Sequence, residues 1–468
     1  MKKYLKNKIF EIISNCSAEI NVDSYVIGGF VRDSIIGLKK PKDIDIVCVG
    51  SGINLAKNVS KRLKLNKVQI FKNFGTAMIK YNDLEIEFVG ARKESYSKDS
   101  RNPTVKKTSL DEDQKRRDFT INTIAISLNK NSYGEIIDPF EGVNDIKRKV
   151  IRTPLDAHLT YFDDPLRMMR AIRFSSQLNF EIEKKSLDSI IQNSKRIKII
   201  SQERITEELN KIIKSNKPSV GLNLLFQTNL LKYFFSELSD LQGVEIIHGM
   251  RHKDNFFHTL KVLDNLSLTS NKFWLRWAAL LHDIGKPATK KFDENNGWTF
   301  HGHEYVGSKM VPKVFKKLKL PLNEKMKYVQ KLVLLHLRPI GLSKEIVTDS
   351  AIRRLLFECG NDIEDLLLLC EADITSKNKY KVLKYLNNFK IVRKKIEDIE
   401  KRDKIRNWQP PISGQKIMKT FNIKPSKEVG DIKNKIRESI LDGDIKNNYE
   451  DAYKLMLKIG NEMGLIKV

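Results

Sequence analysis

YVIGGFVRDSIIGLKKPKDIDIVCV, residues 25–49, decides how the start of this chain folds. An apolar run ends at Gly28-Gly29, and the residues after it, with Arg32 and Asp33, read as a helix. Two glycines let a backbone come close to a bulky anion, and a helix start offers free N–H donors. The same pair also marks a plain turn. Further on, Asp43 and Asp45 alternate with Ile44 and Ile46, so both carboxylates project from one face of a strand. Neighbouring anions repel, and a divalent cation relieves them. DLEIEFVGAR, residues 83–92, repeats the alternation with Glu85 and Glu87, which offers a third carboxylate for a two-metal site. Each acidic pair alone fits equally well on the solvent side of a half-exposed strand.

Composition narrows the classes open to such a chain. Lys and Arg number 85 against 58 acids in 468 residues, a formal charge of +27 and a pI near 9.6, which points to a polyanionic partner. Apolar residues make up 40%, so the charge decorates folded domains and a disordered chain is excluded. MKKYLKNKIFEIISNCS interrupts its apolar residues with Lys, Glu and Asn and does not read as a signal peptide. No stretch approaches the ~18–20 apolar residues of a membrane span. Cys16, Cys48, Cys359 and Cys370 lack CxxC spacing and read as buried free thiols, which suits a reducing cytoplasm.

The pattern divides the chain. Residues 1–150 mix short β-type runs with turns, an α/β head; helical periodicity follows, with Arg and Lys between the apolar positions of 163–214. Seven of the eight histidines fall between His248 and His336, the mark of a separate unit with its own chemistry. Residues 377–468 carry a surplus of basic side chains, with a break at Trp408-Gln-Pro-Pro, and read as a helical tail suited to RNA contact.

Five segments then occur in order: GGFVRDSIIGLKKPKDIDI (28–46), RRDFTINTI (116–124), DPFEGVNDIKRKVIRTP (138–154), DDPLRMMRAIRF (163–174) and SQERITEELNKII (201–213). Together they resemble the class II tRNA nucleotidyltransferase and bacterial poly(A) polymerase family. The resemblance implies a multidomain α+β protein. Its parts would be a polymerase-β-like head with a mixed sheet (1–150), an all-α neck (151–240), an HD domain (245–376) and a basic helical tail (377–468). It implies catalytic metal ligation by Asp43 and Asp45, with Glu87, by its spacing from Arg92, a better match to the third acid than Glu85. Magnesium is the expected ion. It implies triphosphate contacts by Gly28, Gly29 and Arg32, and nucleotide binding by Arg116, Arg117, Asp118 and Asn122. The stretch 92–115 resembles the flexible loop of members that add the terminal A.

Asp164 and Arg167 match that family's base-reading pair. A carboxylate accepts from the exocyclic amine that C and A share, and a guanidinium donates to the neighbouring ring acceptors. The i, i+3 spacing predicts both on one helical face, continued by Arg170 and Arg173 toward phosphate. An exposed salt bridge has the same spacing. Two departures, Asp163 before Asp164 and Thr123 at the end of the second segment, remove no functional group.

In the middle, His258, His282-Asp283 in LLHDIGKP, His303, His336 and Asp373 resemble the HD phosphohydrolase pattern. The set suits divalent metal ions whose identity the sequence leaves open; a degenerate HD unit that only packs or positions RNA is the alternative. His248, His252 and His301 match no ligand position.

The expected activity is template-free addition of C, C and A to the tRNA 3′ end from CTP and ATP, with pyrophosphate released. An HD phosphodiesterase or phosphatase acting on RNA ends, such as a 2′,3′-cyclic phosphate, is expected beside it. A poly(A) polymerase, and an RNA-directed HD phosphohydrolase with an inactive head, are the rivals. No membrane is expected among the partners.

Overall fold

The computed structural model describes residues 2–38, 42–72, 75–97, 100–342, 348–376, 378–406 and 408–468, with the side chains of 93–97, 100–105 and 107 left aside. The chain forms two compact units, Met1–Ser236 and Glu237–Val468. The expected head and all but the last four residues of the expected neck fall in the first; the expected HD domain and tail fall in the second.

The first unit is built on a seven-stranded mixed sheet. Its strands are β1 (Ser24–Ile27), β2 (Asp43–Cys48), β3 (Gln69–Phe71), β4 (Thr76–Tyr81), β5 (Leu84–Gly90), β8 (Ala125–Ser127) and β9 (Ile136–Ile137), in the order β3-β4-β5-β2-β1-β8-β9. Only β2 and β5 run parallel, and their register sets Asp43 beside Glu85 and Asp45 beside Glu87. Ile44, Ile46, Ile86 and Phe88 are buried on the opposite face, which is the period-2 pattern of a one-sided core. Helices α1 (Lys8–Glu19) and α3 (Gly52–Arg62) pack together, and α3 lies against β4 and β5. Helix α2 (Gly29–Ile36) follows β1 directly. Gly28 makes that turn at φ +80°, where a Cβ would also lie 3.2 Å from Asp45 Oδ2 and 3.3 Å from Arg117 Nη1.

The stretch 92–115, read as a flexible loop, contains regular structure. It forms a separate antiparallel hairpin, β6 (Arg92–Ser97) with β7 (Ser100–Lys107), and then α4 (Leu110–Lys115). Residues 98 and 99 lie outside the described residues. Asp111, Glu112 and Asp113 in the first turn of α4 complement its dipole. Beyond the sheet come α5 (Gly142–Arg148), α6 (Ala157–Asp163), α7 (Leu166–Leu178), α8 (Lys184–Asn193), α9 (Gln202–Ile213) and α10 (Pro218–Gln227). Helix α7 is the hub, packed against α9 and α10.

In the second unit the helix Phe273–Leu281 is buried almost throughout and delivers His282 and Asp283 at its end. Gly285 sits so close to the helix His303–Lys317 that a Cβ would lie 2.3 Å from the His303 carbonyl, so a larger residue would separate the two histidine-bearing segments. The helices Gly414–Phe421, Lys427–Asp442 and Tyr449–Glu462 share an apolar core of their own, including Ile417, Phe421, Ile436 and Met456. Arg354 ties them to the helix Asp349–Cys359 through Glu438 and Asp442. All four cysteines are buried free thiols, and among the described residues no helix is long and apolar enough to cross a membrane.

Candidate active site

A cleft of about 690 Å³ opens on the polar face of β2 and β5. One wall is acidic: Asp43, Asp45, Glu85 and Glu87. Burial pushes the Asp45 carboxyl above its usual range and the neighbouring Asp43 adds to it, while Arg117 pulls the other way. Glu87 is raised too, by burial and then by Asp45. Glu85, which lines the same cleft, differs in being tied to Lys80 at 2.5 Å on the adjoining strand. Asp45 and Glu87, both raised, are carboxylates short of positive charge, and a divalent cation held by them together with the neighbouring Asp43 fits that deficit.

The rest of the lining is rich in basic groups, with Arg32, Arg117, Arg170, Arg173 and Lys211. Its side chains are locked by a chain of buried bonds. Arg32 Nη1 donates to Asn122 Oδ1 at 2.7 Å, and Asn122 Nδ2 donates to Asp118 Oδ1 at 3.0 Å. Arg170 Nε donates to Asp118 Oδ2 at 2.7 Å. Burial alone would raise the Asp118 carboxyl, but the Arg170 guanidinium and the Asn122 amide outweigh it and hold it at about 2. Asp118 thus stabilises the fold fully above its unfolded value of 3.8, and that contribution drains away as pH falls toward 2. Asp118→Asn is expected to leave Arg170 half-buried without its counter-charge, lowering stability by about 3 kcal/mol at pH 7 with a much smaller difference at pH 2.5. Thermal unfolding at the two pH values measures both.

Three residues of this network carry no role in the sequence reading. Asp113 is fully buried and accepts from Arg116 Nη2 at 2.6 Å and Arg117 Nε at 3.2 Å. Its position three and four residues before the two arginines is the helical spacing that would have found it. Glu208, from the fifth segment, is buried between Arg173 at 2.5 Å and Lys211 at 3.0 Å. Phe174 stacks under the Arg173 guanidinium, 3.9 Å from the ring centroid, with Arg32 at 4.8 Å. Arg173, expected to continue a phosphate-facing helix side, lines the cleft with its guanidinium committed to Glu208 and Phe174.

Among the described residues the cleft is not lined by Arg116, Asp164 or Arg167. Arg116 grips Asp113 and the Arg92 carbonyl, and its own carbonyl accepts from Arg167 Nη2 at 2.7 Å. The expectation that Asp164 and Arg167 share one helical face is corrected. Asp164 is extended (φ −130°, ψ 95°) in the break between α6 and α7, and its Oδ1 accepts from Leu166 N at 3.2 Å. Pro165 is the reason, since the residue before a proline avoids the helical region.

In the second unit His258, His282, Asp283, His303, His336 and Asp373 converge. Asp283 Oδ2 lies 3.2 Å from His282 Nε2 and 3.5 Å from His258 Nε2, and its Oδ1 lies 3.3 Å from His303 Nε2 and 3.9 Å from His336 Nε2. Asp373 Oδ1 is 2.8 Å from His258 Nε2. The outer nitrogens of His282, His303 and His336 donate to the carbonyls of Ala279, Phe300 and Val333 at 2.8, 2.7 and 2.6 Å. That fixes the tautomer and turns each Nε2 lone pair inward. His282 Nε2 is buried without a hydrogen-bond partner, and burial together with the nearby His282 holds His336 down to about 4, hence neutral at pH 7. Two overlapping donor groups share Asp283, so the cluster fits two cations with a bridging carboxylate. Lys286, unassigned by the sequence, donates to Asp283 Oδ2 at 2.6 Å. His248, His252 and His301 stand outside both donor groups.

Three family profiles match in succession: the poly A polymerase head domain over residues 24–152, a probable RNA and SrmB-binding site of polymerase A over 179–241, and the HD domain over 255–378. The chain is 31% identical to a multifunctional CCA protein of Shewanella frigidimarina over 77% of its own length and 86% of that protein. It is 30% identical to an A-adding tRNA nucleotidyltransferase of Aquifex aeolicus over 81% of its length, and spans 42% of that longer protein. Its fold matches the crystal structure of the Bacillus stearothermophilus CCA-adding enzyme in complex with CTP at a TM-score of 0.68, with 22% identity and 99% of each chain covered.

Proposed function

Because the chain belongs to the family of tRNA nucleotidyltransferases and poly(A) polymerases, we propose that it adds C, C and A to the 3′ end of tRNA from CTP and ATP, without a template and with release of pyrophosphate. The observation that carries this reading is the register of β2 on β5, which sets Asp45 beside Glu87 in a cleft also lined by arginines. Carboxylate oxygens suit magnesium, which when bound lowers the pKa of the attacking 3′-hydroxyl and steadies the leaving pyrophosphate. Asp43, Asp45 and Glu87 hold the ions, Gly28-Gly29 lets the triphosphate approach the start of α2, and Arg32, Arg117 and Arg170 neutralise its charge. Asp118, Asn122 and Asp113 keep those guanidinium groups in place.

Base choice falls to Asp164 and Arg167, which Arg116 links to the arginine wall. Asp164→Asn keeps an oxygen for the Leu166 N–H but adds a donor where C and A also donate. Discrimination against UTP and GTP is expected to fall about tenfold or more, with stability changed by less than about 1 kcal/mol. Single-turnover incorporation of each triphosphate checks it, and unchanged preference would remove Asp164 from base reading.

The function is tested by incubating the protein with magnesium, CTP, ATP and a tRNA transcript ending at the discriminator base, then sequencing the products. CCA followed by arrest is the expected result. An A added only to a transcript already ending in CC would make it A-adding, and an open-ended A tract would make it a poly(A) polymerase. The histidine cluster supports a second, hydrolytic activity on RNA 3′ ends, with nitrogen donors that favour a divalent transition metal. The buried free thiols suit a cytoplasmic location.

A further inference from the structure

The mouth of the histidine cluster is walled by aromatic rings that metal binding does not require. A cleft of about 420 Å³ runs from His258 and Asp373, past Lys253 and Lys286, to Trp298 and Phe300. Trp298 stands on the hairpin Lys291–Asp293 with Gly297–Thr299, and its Nε1–H donates to the Met250 carbonyl at 3.2 Å. The Phe292 and His252 rings each meet it at 5.3 Å between centroids, and the Lys290 ammonium lies 4.7 Å from its centre. Phe300 meets the other side of the same corner, 5.7 Å from His252. The indole is thus held in one orientation by four neighbours, counting Met250, yet Trp298 and Phe300 remain only partly buried. Rigid, half-exposed aromatic surface beside a polar centre loses free energy in water unless a flat apolar group covers it.

Lys286 joins the two ends of the cleft. Its ammonium is 2.6 Å from Asp283 Oδ2 and 5.6 Å from the centre of the Phe300 ring. A ligand with an anionic phosphate at the metal-ligand end therefore has aromatic surface within the span of one nucleotide.

We infer that the Trp298–Phe300 wall is a base platform, so that the histidine site takes phosphoesters of ribonucleotides, either free or at an RNA 3′ end, with the base stacked at the mouth and the phosphate at Lys286. This rests on the hydrolytic reading of the cluster. Stacking on one ring sets the expected effect at about tenfold in affinity.

The test uses the full chain loaded with Mn2+ and three substrates with the same reacting group: adenosine 2′,3′-cyclic phosphate, an RNA oligonucleotide ending in a 2′,3′-cyclic phosphate, and methyl riboside 2′,3′-cyclic phosphate, which has no base. In Trp298→Leu the KM for the base-bearing substrates is expected to rise about tenfold with kcat and turnover of the baseless ester unchanged, while Trp298→Phe stays near the parent. A rise confined to the oligonucleotide identifies an RNA end as the ligand, and one confined to the mononucleotide a free nucleotide. Equal losses on all three substrates in both variants, or a parent enzyme indifferent to the base, would overturn the platform and leave the hydrolytic reading intact. Calorimetric binding of adenosine 2′-monophosphate against ribose 5-phosphate gives a readout free of turnover, and the head's contribution cancels between parent and Trp298→Leu. If no ester is cleaved, the hydrolytic reading fails alone when this binding still depends on Trp298, and the platform fails with it when it does not.

Discussion

Replacing Asp43 and Asp45 together by alanine is expected to lower nucleotide incorporation about a thousandfold or more, roughly 4 kcal/mol of transition-state stabilisation. Affinity for tRNA should stay within about threefold, because the pair is acidic and contributes nothing to holding phosphates. The companion expectation concerns stability and has the opposite sign. Burial raises the Asp45 carboxyl in the folded state, so the native protein binds that proton more tightly than the unfolded chain does. Stability attributable to Asp45 therefore falls as pH rises through this range, and the ionised group is a burden at neutral pH in the absence of metal. Asp45→Asn should be inactive yet melt no lower than the parent without magnesium. Rapid-quench incorporation, filter binding and thermal melting measure the three quantities. A loss of tRNA affinity matching the loss of activity would contradict the division of labour.

Asp283→Ala is expected to empty the second centre. Asp283 is the one residue shared by both donor groups, so its loss takes a ligand from each cation position at once. Metal content should fall to background and hydrolysis of a 2′,3′-cyclic phosphate by about a thousandfold. Burial would raise its carboxyl, but His282 and Lys286 hold it well below the usual range; removing it strands both groups and should cost about 3 kcal/mol in the metal-free protein. Incorporation of CTP and ATP should be unchanged, since the head belongs to the other unit. Retention of full hydrolysis would show that the cluster does not perform it.

The two centres were legible in the sequence on different grounds. A strand forces alternate residues to one face, so Asp43, Asp45, Glu85 and Glu87 were bound to share a side. The second set, His258, His282, Asp283, His303, His336 and Asp373, came from the resemblance to the HD pattern, and the fold brings those six side chains together. One expectation failed where local period was the guide. The i, i+3 spacing of Asp164 and Arg167 suggested one helix face, but Pro165 breaks the helix between α6 and α7 and converts Asp164 into a cap. The stretch 92–115 was matched to a family loop by resemblance alone, which carries no secondary structure; the pairing of β6 with β7 within it rests on backbone hydrogen bonds.

The sequence by itself determined which residue types could bind cations and which stretches alternate or repeat, because those follow from the geometry of a single strand or helix. The family resemblance already favoured Glu87 over Glu85 by its spacing from Arg92, and the tertiary structure supplies the physical difference, pairing one beside Asp45 and the other with Lys80. The tertiary structure alone revealed Glu208 on Arg173 and Phe174 beneath the arginines, whereas Asp113 before Arg116 and Arg117, and Lys286 after Asp283, stand at helical spacings already present in the sequence. Charge, burial and contact between segments far apart in sequence come from packing, and no local pattern encodes which of several similar side chains the fold leaves without a partner.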